Sequence, residues 1–110
     1  MKTLARLPLA LLALALPLSL WAADTEFALV IRNHRFEPAE LRVPAGQKIK
    51  LVVHNQDSTP EEFESHELNR EKVIPGGAKA NIYVGPLAPG RYPFFGEFNE
   101  KTARGALIAE

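Results

Sequence analysis

Four carboxylates crowd into seven residues of this chain, Glu61, Glu62, Glu64 and Glu67, with His66 among them. Further along, Glu97 and Glu100 flank Asn99. Carboxylate oxygens with one imidazole make a donor set for Fe(II), Fe(III), Mn(II) or Cu(II), and a poor one for Cu(I), which prefers sulfur. Clustered carboxylates repel one another unless a cation or a proton intervenes, and some of their pKa values rise in consequence. The plainer reading of the same residues is a solvated strand face, paired with Arg70, Lys72 and Arg104. Arg104 in particular is placed to form a structural ion pair with Glu61 or Glu97. Such a pair adds little net stability.

Other chemistry is thin. The chain contains no cysteine, which removes every thiolate metal site and every disulfide. No nucleophile elbow, phosphate-cradling glycine loop or Ser/His/Asp order is present, and Ser19, Ser58 and Ser65 have no evident base. No catalytic residues are therefore expected. His34 lies between cationic neighbours in Arg32-Asn33-His34-Arg35 and reads as part of a surface turn. His54, next to Asn55 on a strand, reads as exposed or locally hydrogen-bonded.

The elements that must position the acidic groups are short. Glu26 to Arg32 alternates, with Phe27, Leu29 and Ile31 on one side, as a half-buried strand does. Leu41 and Val43 keep the alternation between Pro38 and Pro44, which forbid a regular central strand through them. Pro44-Ala45-Gly46 is a turn with glycine where positive φ is expected. Lys48 to Asn55 directs Ile49, Leu51 and Val53 inward. If Glu61 to Glu67 is a strand, Glu62, Glu64 and His66 share one face, solvent-directed, while Glu61, Phe63 and Ser65 share the other. Leu68 to Ile74 reads as a short helix or an irregular crossover. Lys79 to Val84 alternates again, and Tyr92 to Phe95 and Ala106 to Ala109 close the chain as strands. Short strands between Pro/Gly turns, with no long helix, argue for an all-β antiparallel sandwich or barrel.

The beginning of the chain follows a different pattern. Lys2 and Arg6 precede an apolar run from Leu7 to Leu20, and Ala22-Ala23 offer small residues for cleavage. This is the pattern of a secretory signal peptide over residues 1–23. The run is about 14 residues, short of the roughly 20 needed to span a bilayer, and prolines interrupt it. A periplasmic location after cleavage is expected, with no membrane insertion of the remainder; an uncleaved inner-membrane anchor is the competing reading. Residues 24–110 then form one domain of roughly 87 residues, too short for two. Lys+Arg and Asp+Glu each number 13, and loss of Lys2 and Arg6 leaves the balance slightly acidic. Nothing in that balance calls for nucleic acid as a partner.

Three segments together resemble the cupredoxin family. They are Phe36-x-Pro38-x-x-Leu41-x-Val43-x-x-Gly46-Gln47-x-Ile49-x-Leu51 ending in Asn55, then Pro86-Leu87-x-Pro89-Gly90-x-Tyr92-x-Phe94, then Gly105-x-Leu107-Ile108. The resemblance implies an all-β, antiparallel Greek-key β-sandwich, cupredoxin-like, with a strand-loop-strand corner, Tyr92 to Glu110, where the family carries most of its copper ligands. At the matching positions this chain has Glu61 and Asn99 for the two histidines, Gly96 for the cysteine, and Ala103 or Arg104 for the methionine. A type 1 copper centre is thereby excluded. Glu61-Glu62-Phe63-Glu64-Ser65, Leu68 to Val73, and Phe94-Phe95-Gly96-Glu97-Phe98 followed by Thr102-Ala103-x-Gly105 are most similar to small periplasmic cupredoxin-like proteins of bacterial iron-permease uptake systems. If the segments meet as in the family, Glu61, Glu62, His66, Glu97 and Asn99 form the candidate metal set. The expected cofactor is then an iron or copper ion, and the expected partner an inner-membrane iron permease or its periplasmic associates. The alternative is a metal-free interaction module with a structural Glu–Arg corner where the copper would sit.

Overall fold

The computed structural model describes residues 25–110, and the expected leader at residues 1–23 lies outside them. Alternation builds the first sheet. In β1 (Glu26–Arg32) Leu29 and Ile31 are buried, and in β4 (Ile49–Asn55) Ile49, Leu51, Val53 and Asn55 are buried while the residues between them are half-exposed. In β7 (Lys79–Val84) Ile82 and Val84 face the same interior. With the short β2 (Arg35–Glu37) these form a four-stranded sheet in the order β2-β1-β4-β7.

The second sheet has the order β3-β9-β8-β5-β6, from β3 (Glu40–Val43), β5 (Glu61–Ser65), β6 (Arg70–Ile74), β8 (Gly90–Gly96) and β9 (Arg104–Ala109). A 3-10 turn, Glu97–Asn99, follows β8 directly. The all-β sandwich expected from the sequence is the observed architecture. Two strand pairs in it, β1 with β4 and β3 with β9, run parallel, so each sheet is mixed. They follow from topology: after Pro38 the chain leaves the sheet of β1 and β2, so β3 pairs with the distant β9, and β4 returns to lie beside β1.

The segment Leu68 to Ile74 is neither helix nor crossover. Its greater part is β6, paired antiparallel with β5 through a tight turn in which Asn69 has φ of 56°. As an edge strand it leaves Arg70, Glu71, Lys72 and Val73 exposed and buries only Ile74. An edge strand with so little burial carries no two-residue hydrophobic signal.

Between the sheets, Phe63 and Phe94 stack at 5.1 Å, and Phe36 meets Phe94 edge-on at 4.9 Å and Phe63 at 6.1 Å. Offset and edge-on contacts are the arrangements that aromatic quadrupoles favour. Leu29, Ile31, Leu51, Val53, Ile74 and Leu107 complete this core, each fully buried. Gly46 makes the expected turn before β4 with φ of 77°.

At one end of this core Asn55 joins the two sheets. Its side-chain amide donates to the carbonyls of Thr59 (2.8 Å) and Ile74 (3.1 Å), and its Oδ1 accepts from the backbone N–H of Asp57 (3.0 Å). The loop that delivers β5 is thus fixed just before Glu61. Asn55→Leu keeps the volume and removes the donors, leaving buried carbonyls unpaired at about 1–3 kcal/mol each. Urea unfolding is expected to show a stability loss of about 2 kcal/mol or more with an unchanged m-value.

Candidate metal centre

β5 alternates strictly between two faces. Phe63 pairs with Gly96 of β8, and Glu64 with Phe95. Glu61, Phe63 and Ser65 therefore look into the sandwich, and Glu62 and Glu64 look out of it. Glu97, in the turn after Gly96, comes alongside Glu62 on the outer side. The five residues nominated from the sequence divide accordingly: Glu61 and Asn99 meet inside, Glu62 and Glu97 meet outside, and His66 stands at the hairpin end.

Inside, Glu61 is only 2% exposed. Its Oε1 accepts the backbone N–H of Glu62 (3.0 Å) and of Phe98 (2.8 Å), and its Oε2 accepts Nδ2 of Asn99 (2.7 Å). The carboxylate lies directly against Gly96. A Cβ at that position would fall 2.6 Å from Cδ of Glu61 and 2.7 Å from Cβ of Ala103. Glu61, Gly96, Asn99 and Ala103 are the positions that the resemblance gives to the copper ligands, and the fold does bring them together. They do not fit a type 1 ion. There is no thiolate, no imidazole, and no space beside Gly96, while the one carboxylate spends its oxygens on three N–H groups.

The expected Glu–Arg pair is absent. Arg104 donates Nε to the carbonyl of Glu100 (2.8 Å), and its guanidinium lies over the ring of Phe95, 5.9 Å from the centroid. Outward-facing residues on an antiparallel pair meet across the ladder, and Phe95 is opposite Arg104 in the register. Glu61 faces the other way and is out of reach. Arg70 likewise donates to the carbonyls of Tyr83 and Asn69 rather than to the acidic face.

Outside, one carboxylate oxygen from each of Glu62, Glu64 and Glu97 lies within 4.8 Å of the others. His66 adds a longer contact, Nε2 to Oε2 of Glu64 at 3.7 Å, and its ring is tilted against Phe95. Glu71 stands opposite Glu64 on β6. Like charges directly opposite on a ladder destabilise it, so this face carries an uncompensated electrostatic cost. The face was expected to be open to solvent, yet Glu62 is only 7% exposed. Among the described residues no Lys or Arg forms an ion pair with Glu62, Glu64 or Glu97, and no N–H donates to the Glu62 carboxyl.

The carboxyl groups respond to one another. The hydrogen bond with Glu97, then burial, then the hydrogen bond with Glu71 push the Glu62 pKa up to about 8. Glu64 is raised too, by Glu97 first and by burial second, and Glu97 is lowered by the hydrogen bonds it receives from Glu62 and Glu64. The direction of these shifts favours a proton shared within the trio and drawn towards Glu62.

Glu64 and Glu71 were not among the nominated metal residues. Pairing β5 with β6 is what brings Glu71 to Glu64, and a helical reading of Leu68 to Ile74 conceals it. His34 and His54 lie elsewhere. His34 sits in the expected turn with φ of 57°, its N–H donating to Asp57 (2.9 Å), and His54 reaches only Gln56, at 3.4 Å.

Comparison with known proteins accords with this geometry. The family described as cupredoxin-like domain matches residues 5–109. An uncharacterized protein of Rickettsia prowazekii is 46% identical over 83 residues, covering 76% of this chain; the match spans 66% of that relative's length. Among solved structures, dithionite-reduced auracyanin from Roseiflexus castenholzii superposes with a TM-score of 0.66 at 15% identity, over 81% of this chain and 99% of its own. A methionine-to-alanine variant of amicyanin in the Cu(I) form gives 0.65 at 17% identity, over 84% and 89%. The metal-binding domain of a Cu(I)-exporting P-type ATPase from Streptococcus pneumoniae gives 0.65 at 17% identity, over 77% and 84%. At these identities the structures establish the fold alone.

A pH dependence follows from the outer carboxyls. Glu62 holds its proton more tightly in the folded chain than at the ordinary value of 4.5. The stability linked to it is complete below that value and is lost as pH rises through about 8. Glu97 works in the opposite sense, its contribution falling away in acid. Melting temperature is expected to decline between about pH 5 and about pH 8.5, and Glu62→Gln, which carries no titrating proton, should flatten that decline.

Proposed function

The chain belongs to the cupredoxin-like domain family, and we propose that it is a metal-handling accessory protein whose ion site is the outer carboxylate group of Glu62, Glu64 and Glu97. The observation that carries this reading is the Glu62 carboxyl, which is buried, receives no N–H donor among the described residues, and faces two other carboxyls. A cation removes the electrostatic cost of that arrangement directly. Three oxygens within 4.8 Å are compatible with one ion, since opposite ligands at about 2.1–2.4 Å from a metal are about 4.2–4.8 Å apart. All-oxygen donors select Fe(II), Fe(III), Mn(II) or Cu(II) over Cu(I). His66, 3.7 Å from Glu64, supplies a borderline nitrogen that suits iron or Cu(II).

The setting we propose is the periplasm, beside an inner-membrane iron permease or its soluble partners, with the ion delivered or oxidised there. The leader pattern at residues 1–23 and the resemblance of the acidic strand and corner to iron-permease-associated cupredoxin-like proteins support this. Type 1 electron transfer is outside its repertoire, because the chain has no cysteine.

Calorimetric titration of the purified protein with Mn(II), Cu(II) and anaerobic Fe(II) tests the reading. Saturable one-site binding is expected, weakened at least tenfold in Glu62→Gln/Glu97→Gln, together with a rise in melting temperature as metal is added. Absence of heat with all three ions would remove the metal site and leave the metal-free docking module as the reading.

A further inference from the structure

Resting on that carboxylate site, we infer that Glu61 and Asn99, which contribute no ligand to it, are its positioning residues. The buried Glu61 carboxylate fixes the approach of Glu62 to Glu97, and the Asn99 amide holds that carboxylate in place.

The argument begins with a single oxygen. Oε1 of Glu61 collects the N–H of Glu62 at 3.0 Å and the N–H of Phe98 at 2.8 Å. The first belongs to one outer carboxylate residue, the second to the residue next to the other. Two backbones that bond the same atom cannot separate without giving up one of the bonds, and the Glu62 N–H is buried and costly to orphan while that of Phe98 is part-buried. The distance between the side chains of Glu62 and Glu97 is therefore set from behind, on the opposite face of the sheet.

Oε2 has a different role. It accepts only Nδ2 of Asn99, at 2.7 Å, and this bond fixes the plane of the carboxylate. The same oxygen lies against Gly96, 2.7 Å from where a Cβ would stand. Asn99 sits at the end of the same 3-10 turn that carries Glu97, so its amide ties that turn to β5. Asparagine at this position thus has a structural partner of its own. An asparagine amide donates a hydrogen bond to a carboxylate here, whereas the family uses the position to bind a metal.

The test separates this inference from the reading it rests on. Mn(II) and Cu(II) are titrated into the wild-type protein, Asn99→Leu, Asn99→Ala and the reversed pair Glu61→Gln/Asn99→Asp. The metal-free melting curve and the Cu(II) EPR spectrum of each are recorded. In the reversed pair the glutamine oxygen still accepts both backbone N–H groups, and its amide donates to the new aspartate. Loss of the Asn99 donor is expected to weaken binding about tenfold or more, as losses of groups that orient metal ligands do. It should also shift the EPR signature, and the reversed pair should recover both. Should Asn99→Leu fail to fold, the smaller Asn99→Ala carries the same expectation. Wild-type affinity in the donorless variants, or a loss that the reversed pair does not recover, overturns the positioning role while leaving the carboxylate site standing. No binding by the wild type overturns both.

Discussion

A carboxylate inside a β-sandwich must find donors for its oxygens or the fold will not bury it. Glu61 finds three, and the end of the molecule is arranged around that requirement. The loop before β5 is anchored by Asn55 so that Glu61 arrives in register. Gly96 has no side chain because the carboxylate occupies the space a Cβ would need. The turn after β8 tightens to 3-10 geometry and presents the Phe98 N–H and the Asn99 amide to it. A strand, a glycine, a turn and an amide thus answer to one buried acid. In a metal-binding member of the family an ion can tie these same elements together; here hydrogen bonds do so.

The two-residue period of a strand decides what the neighbouring acids can do. Moving one position along β5, from Glu61 to Glu62, or one position past Gly96, to Glu97, crosses from the inside of the sheet to its outside. Inside, the carboxylate lies against Gly96 and spends its oxygens on the N–H groups of the corner, which leaves no room for an ion. Outside, backbone donors are already spent on the ladder, and among the described residues no Lys or Arg pairs with the trio, His66 alone standing 3.7 Å from Glu64. The same chemical group is therefore met by N–H donors on one face and mainly by other carboxyls on the other, a few ångströms away. The outer set is where an external cation has something to offer.

Much of the fold was legible because its strands obey alternation: Ile49, Leu51 and Val53, or Ile82 and Val84, announce an inner face without help from the rest of the chain. The division of β5 into two faces was legible for the same reason, and it correctly separated Glu61 from Glu62. Two features were hidden. β6 lies at a sheet edge with Arg70, Glu71, Lys72 and Val73 all exposed, so no periodicity marks it, and with it went the approach of Glu71 to Glu64. The donors that hold Glu61 were hidden as well: the sequence offers Arg104 as an alternative partner for Glu61 or Glu97, because a charge pairing is readable from residue types whereas backbone N–H groups have no letter in a sequence. Arg104 was drawn instead to the Phe95 ring and a carbonyl on its own side of the sheet.

The proton at Glu62 connects the two faces to a single chemical question. Three carboxyls close together cannot all ionise at low cost, so the site in isolation takes up the smallest cation available, a proton, and places it on the most buried member. At the proposed site a metal ion would compete for that same position, and its binding would release the proton. On the positioning role inferred for Glu61, the rigidity it supplies decides how that competition would end. A loose trio would relax by spreading its carboxylates towards water, lowering its appetite for any cation. A trio held at fixed separation keeps both the strain and the affinity. Burying an acid behind the site is thus a way of keeping the acids in front of it from escaping one another.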